Sequence, residues 1–115
     1  MSSATRRVKR IDATVNCYYN LFVEIDYDPK KNATNIEERG LPFDKARELD
    51  FDNAVTFQDT RKVYPEVRYV SLSMLGTRLH VLCFTPIEGG IRVISFRKAN
   101  PREVKRYERA HAING

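Results

Sequence analysis

Apolar and polar positions alternate with two different periods along this chain, and the change falls near residue 54. Before it, Leu21-Phe22-Val23-Glu24-Ile25 is a short apolar run that reads as a first strand. Asp28-Pro29 then reads as a helix start, with Asp28 as N-cap and Pro29 at the first helical position. This helix is expected to turn Ala33 and Ile36 inward and to stop at Gly40, which supplies a left-handed closing residue. After Leu41-Pro42, the residues Phe43, Ala46 and Leu49 recur every third position and predict a second short helix ending near Asp52-Asn53.

Beyond residue 54 the pattern is that of strands. Ala54 to Phe57 is one, ended by Asp59-Thr60, and Val67 to Leu75 is another, turning through Gly76-Thr77. Leu79 to Thr85 is an unbroken apolar run of the kind found at a sheet centre, and Ile91 to Phe96 returns after a loop from Pro86 to Gly90. Short turns between successive strands imply an antiparallel meander. A last helix runs from Asn100 or Pro101 to about Ala112, capped by Asn100, with Val104, Tyr107 and His111 along one face. The predicted fold is α+β: a small antiparallel twisted sheet, two N-terminal helices and a C-terminal helix, with the helices on one face.

Residues 1–20 are polar, basic and without a clear period, so they read as an N-terminal extension to a single domain spanning 21–115. A chain of 115 residues holds one modest core. No apolar run approaches the roughly 18 residues of a membrane span, and no apolar segment follows the first basic residues as a secretory signal requires. Cys17 and Cys83 have no metal-like spacing and are expected to be free thiols in a cytoplasmic protein. The net charge of +5 is unevenly spread. Residues 24–66 hold eleven acids and seven bases, and the rest of the chain holds thirteen bases and four acids. Such polarity suits an anionic partner for the basic ends and a different partner for the acidic middle, although charge on small helices also serves solubility.

Familiar catalytic constellations are missing. Gly89-Gly90 is a hairpin signal rather than a phosphate loop, and His80 and His111 define no metal spacing, so neither metal nor cofactor is expected. What remains is a set of cations near strand ends. Glu66 and Arg68 lie two apart, as do Ser95 and Arg97, so each pair shares a face if its strand is regular. Lys98 sits at the last strand–helix junction and Tyr107 projects from the helix. Arginine offers a planar fork for phosphate. RNA carries its own nucleophile, the 2′-hydroxyl, so a protein that orients the attack and stabilises charge can cut it without metal. In that chemistry Arg68 and Arg97 would clamp the phosphate, Lys98 would add charge, and Glu66 or Tyr107 would handle protons. Arg92, Arg102, Lys105, Arg106 and Arg109 would follow the RNA backbone. Each also has a plainer role: His80 and Tyr107 as core rings, Glu66–Arg68 as a salt bridge, the helix cations as a solvated face.

The residues Asp28-Pro29-Lys30 with Asn35, Arg39-Gly40, Phe43, Glu66-Val67-Arg68-Tyr69, Gly76 and Val81 to Thr85 form one series with Arg92-Val93-Ile94-Ser95-Phe96-Arg97-Lys98-Ala99, Glu103 and Tyr107. Beginning at Phe22, this pattern covers about 85 residues and resembles the BrnT family, ribonuclease toxins of type II toxin–antitoxin pairs. The resemblance implies a RelE-like fold and a ribonuclease activity that halts translation. It also implies a BrnA-like antitoxin with a ribbon-helix-helix DNA-binding region, through which the complex represses its own promoter. Two departures stand out. Glu38-Arg39-Gly40 stands where the family usually has Lys-His-Gly, leaving Arg39 as a phosphate-binding cation in place of the histidine. Pro42 replaces a small capping residue. A competing reading keeps the fold but not the activity: a non-catalytic partner or co-repressor in a DNA-bound complex. A free-standing RNA-binding domain is disfavoured because no exposed aromatic pair is evident on the strands.

Overall fold

The structure, a computed structural model, describes residues 6–7 and 24–114. Six strands form one sheet in the order β1-β2-β6-β5-β4-β3. They are β1 Arg6–Arg7, β2 Glu24–Tyr27, β3 Val55–Gln58, β4 Tyr69–Leu75, β5 Arg78–Ile87 and β6 Gly90–Lys98. Helix α1 spans Pro29–Arg39 and α2 spans Pro101–Asn114, with 3-10 helices at Phe43–Glu48 and Phe51–Asn53 between α1 and β3. The meander β3 to β6 is antiparallel throughout, while β2 joins β6 in parallel. The expected first strand lies partly outside the described residues, as does most of the expected extension. Arg6 and Arg7 pair with Ile25 and Glu24 and add an edge to the sheet.

Local chemistry sets the helix ends. Asp28 Oδ1 accepts from Lys30 N at 2.9 Å, Pro29 opens α1, and Gly40 closes it at φ 64°. At α2, Glu103 N donates to Asn100 Oδ1 and Asn100 N donates to Glu103 Oε1, both at 2.8 Å, a reciprocal capping box. The turn Glu88-Gly89 links β5 to β6, with Gly89 at φ 79°. Pro86 lies within β5 without harm, because pairing with β4 ends at Phe84 and no ladder donor is missed.

Three expectations about the helices are corrected. Ala33 and Ile36 face solvent, Ile36 being 43% exposed, and the inward positions of α1 are Asn32 and Asn35. The surface opposite α1 is backbone, not hydrocarbon. Asn35 Nδ2 donates to the carbonyls of Leu41 and Phe96 at 2.8 and 2.9 Å, and Asn32 Oδ1 accepts from Phe43 N at 2.8 Å. Secondly, the segment after Pro42 is two 3-10 helices, whose three residues per turn suit the three-residue spacing and stack Phe43, Ala46 and Leu49 on one line.

Thirdly, the helices do not share one face. Phe43, Ala46 and Leu49 pack with Ile25, Leu82, Val93 and Phe96, whereas Val104 and Tyr107 of α2 pack with Leu72, Leu79, Val81 and Ala99. Leu82 lies between Val81 and Cys83 on β5, and neighbouring strand residues point to opposite sides. The sheet is therefore covered on both sides, and among the described residues α2 is the helix on the second face. A fully buried side chain such as Phe96 contributes roughly 1.5–3 kcal/mol, and each cluster holds several.

Candidate nucleic-acid interface

On the α2 side, the sheet leaves a cleft of about 550 Å³ beside the start of the helix. Val70, Val81, Cys83 and Ser95 form its floor, and Arg97, Glu103, Arg106, Phe57, Asp59 and Arg61 contribute to its walls. Register explains the floor, since Val70, Cys83 and Ser95 are cross-strand neighbours on β4, β5 and β6. Arg97 opposes Val81 and so joins the same face. A bulge at Ile94 shifts the parity of β6, so Arg92, opposite Thr85, also comes to this face although it lies five residues from Arg97.

Every arginine at the cleft is held by a specific contact. Arg97 Nη1 and Nη2 donate to the two oxygens of Glu103 at 2.9 and 2.8 Å, and Nη1 also reaches the Lys98 carbonyl at 3.2 Å. Its Nε–H and second Nη2–H remain as a fork for another ligand. Glu103 is thus both cap and orienter, and the Arg97 guanidinium holds its carboxyl below the usual glutamate range. Arg61 Nε and Nη2 donate to Asp59 at 2.9 and 2.8 Å, and the Tyr64 hydroxyl donates to it at 3.1 Å. These contacts outweigh burial and hold the Asp59 carboxyl far below its ordinary value. Arg106 stacks on Phe57 with its guanidinium carbon 3.7 Å from the ring centre. Burial pushes the Cys83 thiol up, so it is a protonated, free cysteine on the floor.

An adjoining cleft of about 510 Å³ shares Gln58, Asp59 and Thr60 with the first and contains Lys62, Tyr64, Glu66 and Arg68. Here Arg68 Nε donates to Glu66 Oε2 at 2.8 Å, and Arg68 lies over the Tyr64 ring at 4.2 Å. The two residues precede β4 rather than opening it. Thr85 Oγ1 takes the Val67 carbonyl, so the regular ladder begins only at Tyr69. Arg97 lines the first cleft and Arg68 the second, and the two clefts meet at Gln58, Asp59 and Thr60.

Other candidates lie elsewhere. Lys98 opposes His80, one residue out of phase with Arg97, so its side chain leaves on the opposite face of the sheet. Tyr107 packs into the Leu72–Leu79–Val81 cluster with its ring 4.3 Å from that of His111, and burial raises its hydroxyl pKa. His80 is buried against Phe96, and desolvation lowers its pKa, so it is a neutral core ring. Arg92 Nη2 pairs with Asp26 Oδ2 at 2.8 Å. Arg102, Lys105 and Arg109 form an exposed stripe on α2, and Arg106 sits at its inner edge. Arg39 donates to Asn35 Oδ1 on α1. Asp59, Arg61, Tyr64 and Phe57 were not singled out from the sequence. The signal for Asp59 and Arg61 was their two-residue spacing, which makes an Asx turn with Arg61 N donating to Asp59 Oδ1 at 3.2 Å. Among the described residues no cluster of three or more His, Cys, Asp or Glu has the arrangement of a metal site, and no helix is long and apolar enough to cross a membrane.

A family model described as ribonuclease toxin, BrnT, of type II toxin–antitoxin system matches residues 27–103. The chain belongs to this family. The matched BrnT segment runs from the end of β2 through the meander to the capping box, so it contains Arg61, Arg68, Arg97 and Glu103. Arg106 and Tyr107 lie beyond it. Neither a curated protein nor a solved structure matches the chain. The α+β architecture, a twisted mixed sheet with N- and C-terminal helices, is of the RelE-like kind that goes with BrnT toxins. Membership supports a ribonuclease-toxin function with an RNA substrate and an antitoxin partner.

Proposed function

We propose that this BrnT toxin is a cytoplasmic endoribonuclease in which the 2′-hydroxyl attacks the adjacent phosphorus, forming a 2′,3′-cyclic phosphate and breaking the bond to the 5′-oxygen, which takes a proton from water, and that this cleavage stops translation. The scissile phosphate lies over Cys83 and Ser95 against the free fork of Arg97, with Arg68 in the adjoining cleft holding the same strand. The observation that carries this reading is the orientation of Arg97 by Glu103, which leaves a second donor edge. Arg61 and Arg106 add positive potential around the charge that develops on phosphorus. Glu66, bonded through one oxygen to Arg68, is the candidate base for the 2′-hydroxyl proton. Lys98 and Tyr107 have no direct part in this scheme. Charge stabilisation by arginine makes the chemistry independent of metal. A BrnA-like ribbon-helix-helix antitoxin neutralises the toxin, and operator DNA is contacted only through that antitoxin.

The test is cleavage of a single-stranded RNA by purified protein in EDTA, with growth arrest after induced expression as the cellular counterpart. Arg97→Ala should lower the rate by about 10²–10³-fold while leaving the circular-dichroism spectrum intact. Tyr107→Phe should keep most of the activity. Wild-type rates in a folded Arg97→Ala protein would refute the assignment. The alternative, a non-catalytic partner in a DNA-bound complex, is favoured by the fact that Arg68, Arg92 and Arg97 each have a carboxylate partner. It predicts no RNA cleavage by wild type and retention of antitoxin binding.

A further inference from the structure

The strand β2 ends opposite Val93, so among the described residues no strand pairs with the outer edge of β6 from Ile94 onward. Helix α1 lies along that edge, fixed by Asn35, which is 3% exposed and donates to the Phe96 carbonyl. Between them runs a groove of about 300 Å³, walled by Lys30, Lys31, Thr34 and Arg39 and floored by Ile94 and Ser95.

Two features distinguish this groove. Among the described residues its charged lining is three cations and no carboxylate, whereas the Arg97 cleft contains Asp59 and Glu103. Arg39 spends one donor on a neutral amide, so its charge is not cancelled there. Ser95 moreover lines both the groove and the Arg97 cleft, and that cleft in turn shares Gln58, Asp59 and Thr60 with the Arg68 cleft. The three concavities are consecutive.

We propose that the α1 groove is an RNA-backbone subsite, in which Lys30 and Lys31, with Thr34 and Arg39, hold phosphates flanking the one bound at Arg97. The substrate is then a single strand that crosses from α1 past Ser95 into the cleft. This inference rests on the ribonuclease reading above. A positive groove that tracks the backbone is how single strands are held without sequence preference. Phe43, the aromatic side chain of the groove among the described residues, is only 2% exposed, so it offers no stacking surface and the subsite reads backbone rather than base.

The experiment is fluorescence anisotropy with a labelled 2′-O-methyl single strand of twelve nucleotides, which cannot be cut, titrated at several salt concentrations. Lys30→Gln/Lys31→Gln changes two exposed side chains and is compared with Lys45→Gln, a charge control in the first 3-10 helix. If both lysines contact phosphate, the double variant binds more weakly and its log–log salt slope is smaller by about 1.4. Over a fourfold rise in salt, that is about sevenfold less loss of affinity than wild type shows. Lys45→Gln keeps the wild-type slope. Equal slopes in wild type and double variant overturn the proposal, as does failure of wild type to bind the strand. Equal slopes together with lost antitoxin co-purification would assign the groove to an acidic segment of the antitoxin instead. Cleavage of the corresponding unmodified RNA is scored separately. Wild type that binds in this way but never cuts would refute the catalytic reading and leave the subsite standing.

Discussion

Glu103→Gln removes one charge from the centre of the site while preserving side-chain size, and its cost is calculable. The Glu103 carboxylate accepts from Arg97 Nη1, Arg97 Nη2 and Asn100 N at 2.9, 2.8 and 2.8 Å. The Arg97 and Glu103 side chains are 38% and 22% exposed, so solvent screening reduces the ion pair to about 1 kcal/mol despite its bidentate geometry. Weakening the capping box adds about 0.5–1 kcal/mol. A total of about 1.5–2 kcal/mol should lower the melting temperature by roughly 6–10 °C for a domain of this size. Thermal denaturation followed by circular dichroism measures it. The pH dependence is a sharper check. Because the folded-state pKa of Glu103 is depressed, its contribution is complete above the ordinary glutamate value of about 4.3 and fades as pH falls through the lower folded value. The gap between wild type and Glu103→Gln should therefore be full at neutral pH and close on acidification. Equal melting temperatures at pH 7, or a gap that widens in acid, would refute the reasoning.

Two further substitutions probe the framework around the site. Gly90→Ala would drive a Cβ into the Glu24 backbone, including its carbonyl oxygen, and should destabilise by about 3 kcal/mol or more by breaking the β2–β6 pairing; urea denaturation with a midpoint close to wild type would contradict this. Asn35→Ala leaves the Leu41 and Phe96 carbonyls without their side-chain donor and should cost about 2–4 kcal/mol, with early hydrogen exchange along α1 as its signature. An Asn35→Ala protein with wild-type stability would mean that water replaces the amide without penalty.

Legibility in the sequence followed locality. Asp28-Pro29 with Gly40, and Asn100 with Glu103, were readable because a cap needs partners within three or four residues. The meander was readable because Leu79 to Thr85 and its neighbours carry the apolar pattern and the Gly89-Gly90 pair marks the turn that joins adjacent strands. The inward face of α1 was not, because Asn32 and Asn35 bond backbone groups from distant segments, which hydrophobic periodicity does not register. Nor was the full site. Asp59 and Arg61 fall in a stretch whose acids outnumber its bases, and only folding brings them beside Arg97.

By itself, then, the sequence determined the α+β class, the order and nature of most elements, and a motif that marks the family. Tertiary structure decided what those elements face. The parallel pairing of β2 with β6 ends at Val93 and α1 lies beside the rest of that β6 edge, while the 3-10 segment and α2 took opposite sides of the sheet. It also separated Arg97 from Lys98, and the bulge at Ile94 brought Arg92 round to the face of Arg97. The reason is parity: one residue along a strand reverses a side chain's direction, and register and bulges, which depend on long-range pairing, set which residues share a surface.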